Sequence, residues 1–181
     1  MKTKIKAELI ESFLVVWDFK KARKLYSLGF YGKPLGIRKP KSADFEAPLV
    51  LDLMEGLYLL EKGIITVVEK GKEIEMEELK DKARKIYEKF DMKYAVYKHL
   101  RESGLVVTPG IKYGCDFAAY IYGPGIDHAP YMISVKDMDD EITATEIVKA
   151  GRLATTVRKR FVISIPEKDR IVHLMFKWFK A

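Results

Sequence analysis

Apolar and polar positions recur at two spacings along this chain. Ile5–Ile10 and Phe13–Trp17 read as two short strands meeting at Glu11-Ser12. Lys20–Leu28 reads as a helix that Gly29 ends, with Ala22, Leu25 and Leu28 on one face. Gly32–Asp44 is rich in Gly, Pro and Lys and reads as a loop or edge segment, made basic by Lys33, Arg38, Lys39 and Lys41. Pro48–Lys62 carries Leu49, Leu53, Leu57 and Leu60 at helical spacing before the stop at Gly63. Ile64–Val68 is a strand. Glu75–Phe90 is a charged amphipathic helix with Leu79, Ala83, Ile86 and Phe90 on its buried side. These elements predict a small α+β domain over residues 1–82. None of them carries recognisable chemistry, so its role is architectural.

Residues 83–181 read differently. Met92–Ser103 continues as helix to Gly104, with His99 on it as an exposed or packing residue. Leu105–Thr108 is a strand. Asp116–Tyr122 and Tyr131–Val135 form a hairpin around the turn signal Gly123-Pro124-Gly125, with Tyr120 on its first arm and His128 near the start of its second. Lys136–Glu141 is an acidic loop. Thr143 and Glu146 stand at the reciprocal positions of a capping box. The helix they open, Ala144–Lys159, has Ile147, Gly151, Ala154 and Val157 as its inner face and runs into Arg158-Lys159-Arg160. Phe161–Ile165 is apolar throughout, as a central strand is. After a turn at Pro166–Asp169, Arg170–Phe179 is a final strand that contains His173. The order helix, three strands, helix, two strands predicts a mixed sheet flanked by helices.

Composition narrows the function classes. At 181 residues the chain can bury one good core or two small ones, and its 48% hydrophobic and 33% charged content is that of a globular protein. No apolar run approaches the ~18 residues of a membrane helix, and the N-terminus lacks a signal-peptide core, which predicts a cytoplasmic protein. The single cysteine, Cys115, excludes an intramolecular disulfide and a multi-cysteine zinc site, and reads as a buried bystander. The net charge of +7 suits a polyanionic partner. Abundant Lys and Glu also mark thermophile surfaces, so charge alone does not identify an RNA-binding protein.

Three blocks carry more. KYGCDFAAY, GPGIDHAPY and RLATTVRKRFVIS resemble, in order and in the eight-residue step from Tyr120 to His128, the archaeal tRNA-splicing endonuclease family and the catalytic subunit of its eukaryotic relatives. The likeness covers most of Tyr94–Ala181 and more loosely the N-terminal half. It implies a restriction-endonuclease-like α/β fold for residues 83–181 behind a mixed N-terminal domain. It implies cleavage of precursor tRNA at both splice sites of a bulge–helix–bulge, without metal or other cofactor, to a 2′,3′-cyclic phosphate and a 5′-hydroxyl. The matching positions are Tyr120 as general base, His128 as general acid and Lys159 as transition-state stabiliser, with the acid and base labels exchangeable. Tyr122 shares a strand face with Tyr120, but the family's D-F-x-x-Y pattern ends at Tyr120.

The chemistry fits those residue types. Metal-free RNA cleavage needs a base for the 2′-hydroxyl, an acid for the leaving 5′-oxygen and a cation for the phosphoryl charge. An imidazole titrates near neutrality. A phenol, at about 10, is a poor base unless cations such as Arg158 and Lys159 lower it. Asp116 and Asp127 are a weak metal signal, and Asp116 reads as holding a neighbouring group. The resemblance further gives Arg152, seven residues before Lys159 on the same helix, a base-stacking role. Trp178 stands where the family usually has an arginine, and an indole also stacks a base. It gives Asp137, Asp139 and Asp140 a place in a neighbouring subunit's basic cleft. It pairs the last strand with a second copy, removing an exposed apolar edge. The assembly would be a homotetramer, or a heterotetramer with a non-catalytic paralogue. Two rival readings are a non-catalytic RNA-binding or structural subunit and a metal-dependent DNA nuclease of related fold. The first should have lost one of Tyr120, His128 and Lys159; the second should show clustered Asp and Glu beside a lysine.

Overall fold

The structure, a computed structural model, describes residues 4–38, 40, 42–156 and 159–176. The chain divides into two compact units, Met1–Phe90 and Asp91–Ala181.

The first unit is a six-stranded sheet with helices. β1 (Ile5–Ile10) turns through Glu11, at φ 53°, into β2 (Phe13–Val16). α1 (Phe19–Ser27) starts where the Asp18 carboxylate accepts the Lys21 amide. The loop after it contributes a two-residue edge strand, β3 (Lys33–Pro34). Pro48–Lys62 is not one helix. It splits into β4 (Leu49–Leu51) and α2 (Leu53–Glu61), because Asp52 and Glu55 form a capping box that fixes the helix start. Leu49 and Leu51 bury the same side of a strand two residues apart, a spacing that period-3.6 counting absorbs into the helix. β5 (Ile65–Glu69) pairs parallel with β1, and β6 (Lys72–Ile74), absent from the sequence reading, closes a tight hairpin at Lys70-Gly71. The sheet order is β3-β4-β2-β1-β5-β6.

Glu75–Phe90 is also broken. α3 (Met76–Ile86) ends at an extended Tyr87, and α4 (Phe90–Glu102) begins after Lys89 at φ 52°. The break lets the Tyr87 phenol reach the backbone of Leu53 at the start of α2, where burial raises its pKa and the Asp52 carboxylate adds to the shift. Its ring lies 6.1 Å from that of Phe90. Leu79, Ala83 and Phe90 are buried as expected, whereas Ile86 and, in α1, Leu28 are exposed.

The second unit follows the predicted order: α4, β7 (Val106–Pro109), β8 (Phe117–Tyr120), β9 (Tyr131–Val135), α5 (Ala144–Thr156), β10 (Arg160–Pro166), β11 (Ile171–Phe176). A short 3-10 turn, Ile111–Tyr113, joins β7 to β8. The sheet is mixed, in the order β11-β10-β9-β8-β7. Only β9 and β10 run parallel among its neighbours, as the α5 crossover requires. Phe161, Val162 and Ile163 are buried on successive positions, so β10 is covered on both faces. α4 buries Val96, Tyr97 and Leu100. Its buried Arg101 is satisfied by the Tyr97 hydroxyl at 3.0 Å and the Val107 carbonyl at 3.1 Å.

α5 opens on the expected capping box, with Thr143 and Glu146 bonded reciprocally at 2.9 and 3.2 Å. Among its described side chains Ala150 is buried, while Ile147, expected on the inner face, is exposed. Lys159 is not helical: it precedes β10, which Arg160 begins. Arg152 and Lys159 therefore do not share a helix face. Val157, Arg158, Lys177 and Trp178 lie outside the described residues.

Candidate active site

The hairpin β8–β9 is joined by ten residues, not a tight turn, and one side chain shapes that connection. The Asp127 carboxylate accepts backbone N–H groups from Ile121, Tyr122 and Gly123 at 3.1, 3.3 and 2.8 Å. It therefore ends the strand at Tyr120 and folds the loop back on itself. Gly123 and Gly125, at φ 136° and 88°, supply backbone that other residues adopt poorly. This is the role of Asp127, for which sequence reasoning had weighed only a metal. Tyr122 falls in the loop and is 68% exposed, so it does not share a strand face with Tyr120.

The loop carries His128 to an exposed position, followed at once by buried Ala129. The Ala129 carbonyl accepts a hydrogen bond from Lys159 Nζ at 2.7 Å, and the Pro130 carbonyl accepts one from the Arg160 amide at 2.7 Å. The parallel register of β9 and β10, which sets Tyr131 opposite Arg160, thus brings Lys159 beside the residue that follows His128. On its other side the Lys159 ammonium lies 5.0 Å from the centre of the Tyr113 ring. Tyr113 and Tyr120 pack against one core cluster, built on Ala118, Ala129, Met132, Ala150, Phe161 and Ile163. Tyr113 thus touches two parts of this region: it packs with Tyr120 on the cluster, and its ring faces Lys159, which bonds the residue after His128.

The electrostatics differ from expectation at one point. Burial pushes the Tyr120 phenol above its ordinary value, the Thr108 hydroxyl opposes that, and Tyr113 and the Asp127 carboxylate add to it. Among the described residues no cation lowers it. Partial burial, and then the like charge of Lys112, hold Lys159 below its ordinary value. Burial raises the Cys115 thiol to about 11, which is the bystander expected. Asp116 holds neighbours, as expected: it accepts the Val135 amide at 2.8 Å and pairs with Lys93 at 2.9 Å. No group of three His, Cys, Asp or Glu among the described residues could hold a metal ion.

Elsewhere, Arg152 is exposed on α5. The Asp137–Asp140 turn closes on itself, the Asp140 carboxylate accepting the Asp137 amide at 2.8 Å, and Asp139 is exposed. β11 is an edge strand with Leu174 and Met175 exposed. His173 bonds buried Ser164 at 2.8 Å, and its ring centre lies 5.3 Å from that of His99. No helix among the described residues is long and apolar enough to cross a membrane. Sequence reasoning missed Tyr113. Its only signal there was membership of the KYG block, because a residue in a turn has no period to betray it.

Comparison with known proteins bears on both units. Residues 5–80 match the family model of the tRNA intron endonuclease N-terminal domain, and residues 90–173 that of the tRNA intron endonuclease catalytic C-terminal domain. A tRNA-splicing endonuclease of Hyperthermus butylicus is 47% identical over 179 residues, covering 97% of this chain and 99% of that one. Those of Saccharolobus islandicus and Saccharolobus solfataricus are 44% identical over 180 residues, with the same shares covered.

Proposed function

This chain belongs to the tRNA intron endonuclease family, and from that premise we propose that it excises introns from precursor tRNA, cutting both splice sites of a bulge–helix–bulge without a metal and leaving a 2′,3′-cyclic phosphate and a 5′-hydroxyl. What supports the reading most is the seat of Lys159, bonded to Ala129 next to His128 and facing the ring of Tyr113, which packs with Tyr120 on one core cluster.

In this reading Tyr120 takes the proton of the 2′-hydroxyl, which attacks the adjacent phosphorus. The P–O5′ bond breaks as the cyclic phosphate closes, and His128 protonates the departing oxygen. Lys159 balances the charge that gathers on the non-bridging oxygens. The exposure of His128 lets it meet a bound RNA. The raised phenol makes Tyr120 a strong base once ionised and a scarce one, so approach of a cation on substrate binding would increase its share. Arg152 contributes an RNA contact, and Trp178 is the second base-stacking residue. Recognition rests on the shape of the bulges and their splayed-out bases rather than on duplex sequence.

Two cuts at fixed spacing call for two active subunits in a symmetric assembly. β11 would pair with its copy in a second chain, removing its exposed edge, and Asp137, Asp139 and Asp140 would enter a basic cleft of a neighbour. The tetramer is of one chain or of this chain with a non-catalytic paralogue, acting in the cytoplasm.

The test is cleavage of a bulge–helix–bulge RNA in EDTA. Two cuts are expected, with 3′ ends that phosphatase does not touch until acid opens the ring. Loss of activity with chelator, or a 3′-hydroxyl product, would overturn the metal-free mechanism. A substrate with bridging 5′-sulfur, whose leaving group needs no proton, sorts the roles. It should restore His128→Ala and leave Tyr120→Phe slow; the opposite result exchanges the labels.

A further inference from the structure

We propose that Tyr113 is a positioning residue for this reaction: its ring face seats the Lys159 ammonium so that the charge meets the scissile phosphate unneutralised. The inference rests on the reading of Lys159 as the transition-state cation.

A lysine reaches its target on a flexible stem, and something must fix its head. A carboxylate would do so but would cancel the charge the phosphate needs. Lys159 pairs with no carboxylate among the described residues. Two uncharged groups hold it instead. The Ala129 carbonyl, 2.7 Å away, takes one of the three ammonium protons. The Tyr113 ring, centred 5.0 Å from Nζ, attracts the cation through its quadrupole and takes no proton. Protons not given to Ala129 can thus face an incoming anion.

The ring is itself fixed. Tyr113 closes the 3-10 turn, its amide donating to the Gly110 carbonyl at 2.8 Å, and Gly114 follows at φ 65°. Lys149 donates to the Gly114 carbonyl, which ties the turn to α5. The ring also packs against the core cluster that takes Tyr120. A second ammonium, that of Lys112, stands 6.0 Å from the same ring centre. Two cations therefore approach one ring, and partial burial and then the like charge of Lys112 depress Lys159. A ring that favours the charged form opposes that depression. Among the described residues the Tyr113 hydroxyl makes no hydrogen bond, so the aromatic face alone carries the role.

The experiment is single-turnover cleavage of a bulge–helix–bulge RNA across a series at position 113. Tyr113→Leu should lower the cleavage rate about tenfold with RNA affinity unchanged, the scale of a partly desolvated ring–ammonium contact. Tyr113→Phe should restore it. Fluorinated phenylalanines at 113, which keep the shape and drain the ring face, should slow cleavage stepwise and remain informative should the leucine variant fold poorly. Tyr113→Leu combined with Lys159→Ala should be no slower than Lys159→Ala alone, because the ring acts through the lysine. A rate flat across the fluorine series, a slow Tyr113→Phe, or additive losses in the double variant would each overturn the proposal. Lys159→Ala at full rate would instead overturn the reading of Lys159 on which it stands.

Discussion

The two units differ in how they fill their cores. Of the twelve largest fully buried side chains among the described residues, nine lie in the N-terminal unit, from Leu14 to Leu79, and three in the C-terminal one: Met132, Ile133 and Ile163. Where the first unit packs leucine on leucine, the cluster under Tyr113 and Tyr120 in the second mixes Ala118, Ala129 and Ala150 with Met132, Phe161 and Ile163. Tyr113, Tyr120 and Lys159 sit half-buried instead of being fully covered or fully solvated. Partial burial is the first cause that raises the Tyr120 phenol and lowers the Lys159 ammonium. The first unit's polar groups, by contrast, end their work inside the fold. Buried Glu55 caps α2 and also accepts the Gly32 amide at 2.9 Å.

If that contrast holds, substitutions should separate cleanly into those that stop chemistry and those that loosen structure. The largest effect is expected at His128. His128→Ala should lower the cleavage rate by at least about a hundredfold, with RNA affinity by filter binding and thermal stability both retained. Undiminished turnover would remove the imidazole from the mechanism. Reversing the charges of Asp137, Asp139 and Asp140 should reduce the mass measured by light scattering to that of a smaller assembly; an unchanged mass would take that turn out of the interface. In the other unit, an alanine Cβ at Gly56 would lie 1.8 Å from Leu14 Cδ1, where α2 crosses β2. Gly56→Ala should therefore cost about 1–3 kcal/mol of stability by overpacking, read by denaturant unfolding. The folded fraction should still cut RNA at the normal rate.

The smallest effect concerns pH. Burial, and then the neighbouring His99, hold His173 below its ordinary value. The folded chain thus favours the neutral ring. That contribution is complete above the ordinary value of about 6.5 and is lost as pH falls through it toward the depressed one. Melting temperature should decline between pH 7 and 5, and His173→Gln should flatten the decline. A decline of the same slope in the variant would assign it to other groups.

The elements of the second unit were legible because their signals are local. The Thr143–Glu146 box, the unbroken apolar run of β10 and the alternation in β9 each lie within one short segment. The first unit misled twice, and for the same reason. Pro48–Lys62 and Glu75–Phe90 keep a helical period across a break made by a specific bond, the Asp52 cap in one case and the reach of Tyr87 to α2 in the other. Hydrophobic period does not register a capping bond.

Periodicity carried the order of elements, and three sequence blocks carried the resemblance to the family, from which the proposed roles of Tyr120, His128 and Lys159 come. Only the folded chain decided who surrounds them. The seat of Lys159 depends on β10 lying parallel to β9, and its contact with Tyr113 on a turn more than forty residues earlier. Such neighbours are chosen by strand register and by which segments pack on one core cluster. Neither is written in any contiguous stretch of sequence, because each is a property of segments that meet only after the chain has folded.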